Sequence, residues 1–218
     1  AVEQIAKTVA SRMARKRKGK PVLTLLISGP TGTGKTELAK AVAEYLFGDE
    51  DSMERIDVGN LGSHGVSSIV GSPKGYAGSD EWGSLTKHLR TTPETLILFD
   101  EVEKAGKDPS AELYLVLLAL LDEGRVTERS CSQTVDATDA IIMMTSNANQ
   151  KELAELAERY KDDRDELDRA SRDALQDYFA PEFLGRIDVV TTVSKLTDMH
   201  TAEIVFLHLN KLVKSYDL

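Results

Sequence analysis

Two groups of residues have the types and spacing for a single kind of chemistry. Gly29, Pro30, Thr31, Gly32, Thr33, Gly34, Lys35 and Thr36 follow the pattern G-x-x-x-x-G-K-[ST]. Glycines let a loop turn its backbone N–H groups inward around a phosphate oxygen. Lys35 would then add a point charge at the β- and γ-phosphates, and the Thr36 hydroxyl could ligate Mg2+. Further on, the apolar run 96–99 ends in Asp100 and Glu101. An apolar strand closing on paired acids sets carboxylates beside such a loop. Asp100 would hold Mg2+ with Thr36, largely through water, and Glu101 would polarise an attacking water as general base. The chemistry these residues suit is therefore hydrolysis of ATP. Asn147 follows another apolar run and is either a turn residue or a hydrogen-bonding partner of that water or of the γ-phosphate.

These groups need elements to hold them. The apolar run 22–27, rich in β-branched residues, reads as a strand leading into the phosphate loop, and Leu38, Val42 and Leu46 give helical spacing after it. Gly48 suits the end of that helix. Residues 53–58 form a candidate second strand, and 60–83 are rich in Gly and Ser, suggesting loops around one short helical turn. Residues 85–89 read as helix, 95–99 and 141–145 as strands covered on both faces, and 112–121 as a strongly apolar helix. A hairpin is expected from Gly124 through Val135, helix across the charged stretch 150–177, a fifth strand over 189–193, and an amphipathic helix after Asp198. Val2, Ile5, Val9 and Met13 predict a helix over 1–18, closing on a basic run that suits a helix C-terminus. Strands alternating with helices imply an α/β fold with a mostly parallel sheet covered on both faces.

Composition narrows the class of partner. Of 218 residues, 41% are hydrophobic and 29% charged, as expected of a packed domain. The formal net charge of −9 disfavours nucleic acid, whose affinity for proteins comes from clustered Lys and Arg. A single cysteine excludes an internal disulfide and fits a reducing compartment, the cytoplasm or an organelle matrix. No apolar run approaches the roughly 20 residues that span a bilayer, so no membrane partner is expected.

Taken together, these segments resemble the AAA+ ATPases, and among them the second ATPase ring of ClpB-type protein disaggregases. The resemblance rests on GPTGTGKTELAK at 29–40, GSPKGYAG at 71–78, LFDEVEKA at 98–105, LDEGRVT at 121–127, MTSN at 144–147 and PEFLGRID at 181–188. It implies a three-layer P-loop sandwich with a five-stranded sheet. Residues 1–196 would form the large nucleotide-binding subdomain, and 197–218 the truncated start of a small helical lid. Asn147 falls where the family senses the γ-phosphate. Arg186 falls where it has an arginine finger for the neighbouring subunit's site, which implies a ring, typically a homo-hexamer. Gly75, Tyr76, Ala77 and Gly78 match the pore loop that grips a threaded polypeptide. Trp82 stands where the family usually has a small residue, Lys74 where a second proline is common, and 60–65 where an acidic segment is usual. The implied function is an ATP-driven motor module of a chaperone that unfolds or disaggregates polypeptides. The alternative is a nucleotide-dependent assembly scaffold or regulator with little turnover.

Overall fold

The computed structural model describes residues 8, 9, 11, 12, 18–49, 52–61, 65–76, 78–106, 111–160 and 162–193. Most of the expected helix over 1–18, and all of the expected lid segment 197–218, lie outside these; residues 8, 9, 11 and 12 are helical.

Five strands form one sheet: β1 (Leu23–Ser28), β2 (Met53–Asp57), β3 (Leu96–Asp100), β6 (Ile141–Ser146) and β7 (Val189–Thr192), in the order β2-β3-β6-β1-β7. Every neighbouring pair is parallel. A separate antiparallel pair, β4 (Arg125–Glu128) and β5 (Gln133–Asp136), forms the expected hairpin.

Strand residues alternate faces, and in the central strands both faces are apolar. Leu23, Leu25, Ile27, Leu96, Leu98, Ile141 and Met143 pack with Val9 and with Ala39, Val42 and Ala43 of helix α1 (Lys35–Phe47). The opposite face presents Leu26, Ile97, Phe99, Ile142 and Met144. That second layer is built by α2 (Ser67–Val70), α3 (Ser84–Thr91), α4 (Glu112–Glu123), α5 (Gln150–Arg159), α6 (Arg164–Leu175) and α7 (Pro181–Leu184). The result is three layers, helix on sheet on helix. Among the described residues, no helix is long and apolar enough to cross a membrane.

Several element ends shift by a residue or two from expectation, and two differences carry consequences. The charged stretch 150–177 is two helices, because Asp163 takes an extended conformation and its carboxylate accepts the Glu166 N–H at 3.1 Å, starting α6 afresh. Strand β3 includes Asp100 as its last residue, paired in register with Asp57 of β2. Asp100 is thus held by the sheet itself, while Glu101 is the first residue beyond it.

Candidate nucleotide site

Strands β3, β6 and β1 are neighbours, so their C-terminal ends bring three segments together: Asp100 and Glu101, Asn147, and the loop from Gly29 to Gly34. This is where parallel sheets bind ligands. Gly29 opens the loop where the backbone passes close to β7; a Cβ there would lie 2.5 Å from the Val193 carbonyl oxygen. Gly32 and Gly34 have φ of 77° and 79°, and Gly34 leads directly into α1. Thr33 Oγ1 donates to the Pro30 carbonyl at 2.8 Å, closing the loop on itself, while Thr31 is exposed.

The Lys35 ammonium is buried and donates to three oxygens, each at 2.8 Å: the Gly29 and Pro30 carbonyls and Asn147 Oδ1. Burial lowers its pKa from the ordinary lysine value, opposed by the carboxylates of Glu103, Asp100 and Glu101. Asn147 uses the other end of its amide as well, donating Nδ2–H to Glu101 Oε1 at 3.2 Å. One side chain thereby links the loop lysine to the acid after β3. Its backbone N–H donates to Glu103 Oε1 at 3.1 Å. The other oxygen, Glu103 Oε2, is buried and has no hydrogen-bond partner among the described residues.

Asp100 accepts at both oxygens. Oδ2 takes Arg55 Nη2–H at 2.6 Å, Arg55 Nε–H at 3.1 Å and the Thr36 hydroxyl at 3.2 Å; Oδ1 takes the Thr145 hydroxyl. Burial works against the charged form of Asp100, but these hydrogen bonds and the Arg55 charge outweigh it and hold its pKa below the usual carboxylate value. The same Thr145 oxygen accepts the Glu101 N–H at 3.1 Å. Glu101 needs that support, because it sits in the left-handed region at φ 58°, ψ 48°, and begins a 3-10 turn over Val102–Ala105.

Sequence reading alone does not single out Arg55, Thr145 or Glu103. Thr145 was detectable as a polar residue at the end of an otherwise apolar buried strand. Arg55 was not, because its partner depends on how β2 registers against β3.

Two expected residues stand apart from this cluster. Tyr76 lies on the segment between α2 and α3, 71% exposed, in a turn closed by its N–H on the Pro73 carbonyl at 3.2 Å. Gly75 and Gly78 flank it with φ of 90° and 81°, and Ala77 lies outside the described residues. Arg186 follows α7 and is held within its own chain: Nη1 donates to the Glu182 carbonyl at 2.8 Å, and Nη2 lies 3.0 Å from Glu182 Oε1 and 3.7 Å from Asp122 Oδ2.

A glycine-rich loop at the end of β1, with Asp100 and Glu101 at the end of β3 and Asn147 just past the end of β6, matches a known domain. The model of the AAA domain (Cdc48 subfamily) fits residues 20–190. The chain belongs to this AAA family. It is similar to the chaperone protein ClpB of Gloeobacter violaceus, 40% identical over 221 residues that span 97% of this chain and 24% of that protein. It is also 40% identical over 222 residues to the ATP-binding subunit ClpC of an ATP-dependent Clp protease from Staphylococcus aureus strain USA300, covering 97% of this chain and 26% of that protein. Among solved structures, an S. cerevisiae Hsp104:casein complex in an extended conformation matches with a TM-score of 0.76 and 34% identity, over 98% of this chain and 37% of that one. This AAA domain thus spans about a quarter of the length of the curated relatives it matches. It is a nucleotide-binding ATPase domain with the α/β sheet of its structural relatives.

Proposed function

We propose that this AAA domain is the ATP-hydrolysing motor module of a cytoplasmic protein unfoldase or disaggregase that threads polypeptide through a homo-hexameric ring. The observation that carries this reading is the Asn147 amide, which joins Lys35 at 2.8 Å to Glu101 at 3.2 Å. A residue touching both the phosphate-binding lysine and the general base can report the γ-phosphate to the hydrolytic water.

In this reading the N–H groups of the loop 29–34 and the start of α1 bind the phosphates, and Lys35 exchanges carbonyl partners for phosphate oxygens. Thr36 Oγ1 and Asp100 Oδ2, 3.2 Å apart, are hard oxygen donors facing one another, the donor type that suits Mg2+. A cation with so few protein donors would be held mainly by phosphates and water. Bound there, Mg2+ would neutralise charge on the phosphate oxygens. Glu101, aimed by its left-handed backbone and the Thr145 hydroxyl, takes a proton from the attacking water. Arg186 would leave Glu182 and Asp122 to complete a neighbouring subunit's site. Tyr76 offers an exposed ring that packs on many side chains, as a grip on polypeptide of any sequence requires. The relative solved with casein, the S. cerevisiae Hsp104, supports polypeptide as the substrate class.

The test is Glu101→Gln in the full-length protein. Retained binding of a fluorescent ATP analogue, with steady-state hydrolysis reduced about a hundredfold or more, is expected; undiminished hydrolysis would overturn the assignment. Tyr76→Ala should abolish threading of an unfolded polypeptide, and normal threading would remove the loop's role.

A further inference from the structure

Outside the nucleotide site, the carboxylate of Glu128 is fully buried. Glu128 is the last residue of β4, and four groups converge on it. Its Oε2 accepts the Gly83 N–H at 3.0 Å and the Thr86 hydroxyl, both at the start of α3; its Oε1 accepts the Ser130 N–H at 2.9 Å. Gly71, just after α2, packs directly on Oε1: a Cβ there would fall 1.8 Å from it. Beside it, the Arg129 N–H donates to the Val70 carbonyl, the last residue of α2, at 2.8 Å.

Both ends of the segment carrying Tyr76 therefore meet one side chain. Gly71 opens that segment and Gly83 closes it, and α3 has no side-chain cap of its own. Gly83 must also be a glycine, since a Cβ there would lie 2.3 Å from the Ile69 carbonyl carbon. The hairpin that supplies Glu128 continues from α4 through Gly124, whose N–H bonds the Leu120 carbonyl at 3.1 Å and whose carbonyl accepts the Ala137 N–H at 2.7 Å. Helix α4 is the next described helix after Glu101 and its 3-10 turn.

We propose that Glu128 is a positioning residue: its carboxylate hydrogen-bonds the Gly83 end of the Tyr76 segment and packs against the Gly71 end, anchoring the segment to the β4–β5 hairpin, and so couples loop position to the element that follows Glu101. The coupling half of this inference rests on the proposed pore role of Tyr76; the anchoring half does not.

The experiment is Glu128→Gln in the full-length protein. A glutamine keeps the shape but turns an NH2 toward N–H donors on one side, leaving them unpaired. Amide hydrogen exchange in 72–82 should rise about tenfold or more, and emission from Trp82, the only tryptophan in the chain, should shift. Basal ATPase should stay within about twofold while the polypeptide concentration for half-maximal threading rises about tenfold. Glu128→Asp, which keeps the charge, should recover part of the threading. Should Glu128→Gln fail to fold, Thr86→Val removes one donor and should raise exchange in the same segment. Unchanged exchange in the folded variant overturns the anchor. Raised exchange with unaltered threading overturns the coupling. If Tyr76→Ala also threads normally, the fault lies with the pore reading, and the exchange result still decides the anchor.

Discussion

Arg55 reaches from β2 to Asp100 on β3 and holds a single carboxylate oxygen through two nitrogens, Nη2 at 2.6 Å and Nε at 3.1 Å. The arginine side chain is half exposed while the carboxylate is 10% exposed, so the pair lies at the rim of the site, with its acidic partner turned inward.

Arg55→Gln should therefore lower the unfolding free energy by about 1 kcal/mol near neutral pH, between the value of an exposed pair and that of a charge-assisted hydrogen bond. The sign of its pH dependence follows from Asp100, whose folded pKa is depressed. A depressed carboxyl stabilises the fold above its unfolded pKa and loses that contribution as pH falls through the folded value. The gap between native and variant should close as urea melts are repeated at pH values descending below the ordinary carboxylate range. A gap independent of pH would show that charge is not what joins them.

Asn147→Ala cuts the connection between Lys35 and Glu101. Single-turnover hydrolysis should slow by about tenfold to a hundredfold with nucleotide affinity changed only a few-fold, because the phosphate loop keeps its own contacts. Equal losses in binding and turnover would indicate a collapsed loop.

Thr145→Val keeps shape but removes the hydroxyl that donates to Asp100 and accepts from the Glu101 N–H. Leaving those buried groups short of a partner should cost about 1–3 kcal/mol by chemical denaturation. Turnover should fall as well, since Glu101 loses the contact that fixes its backbone.

Gly71→Ala would add a Cβ at φ 79° and drive it into Glu128. A loss of about 2–4 kcal/mol is expected from strain and from displacement of a buried charge. Circular dichroism melts of Gly71→Ala alone and combined with Glu128→Ala would show partial relief in the double variant if the clash is the cause.

The central strands were legible because runs such as 96–99 and 141–144 are apolar at every position, as strands covered on both faces require, and are too short for a buried helix such as 112–121. The phosphate loop was legible because its glycines and lysine sit at fixed offsets between strand and helix. What was hidden depends on register. Arg55 finds Asp100 across two strands far apart in sequence, and Thr145 meets Asp100 because β3 lies beside β6. Glu128 left a readable trace: in β4 it shares the inward phase of Val126, so strand alternation sends a charge into the interior. The break at Asp163 is not legible in the sequence, because the stretch around it keeps helical periodicity on both sides.

Glu101 is one of three non-glycine residues described with positive φ. Such a conformation costs about 1 kcal/mol for an ordinary residue and almost nothing for glycine. Directed evolution for heat tolerance alone would thus favour glycine at 101 and, with Glu101 in its proposed role as general base, return sturdier proteins that have lost turnover. Engineering this domain for robustness has to select on activity in every round.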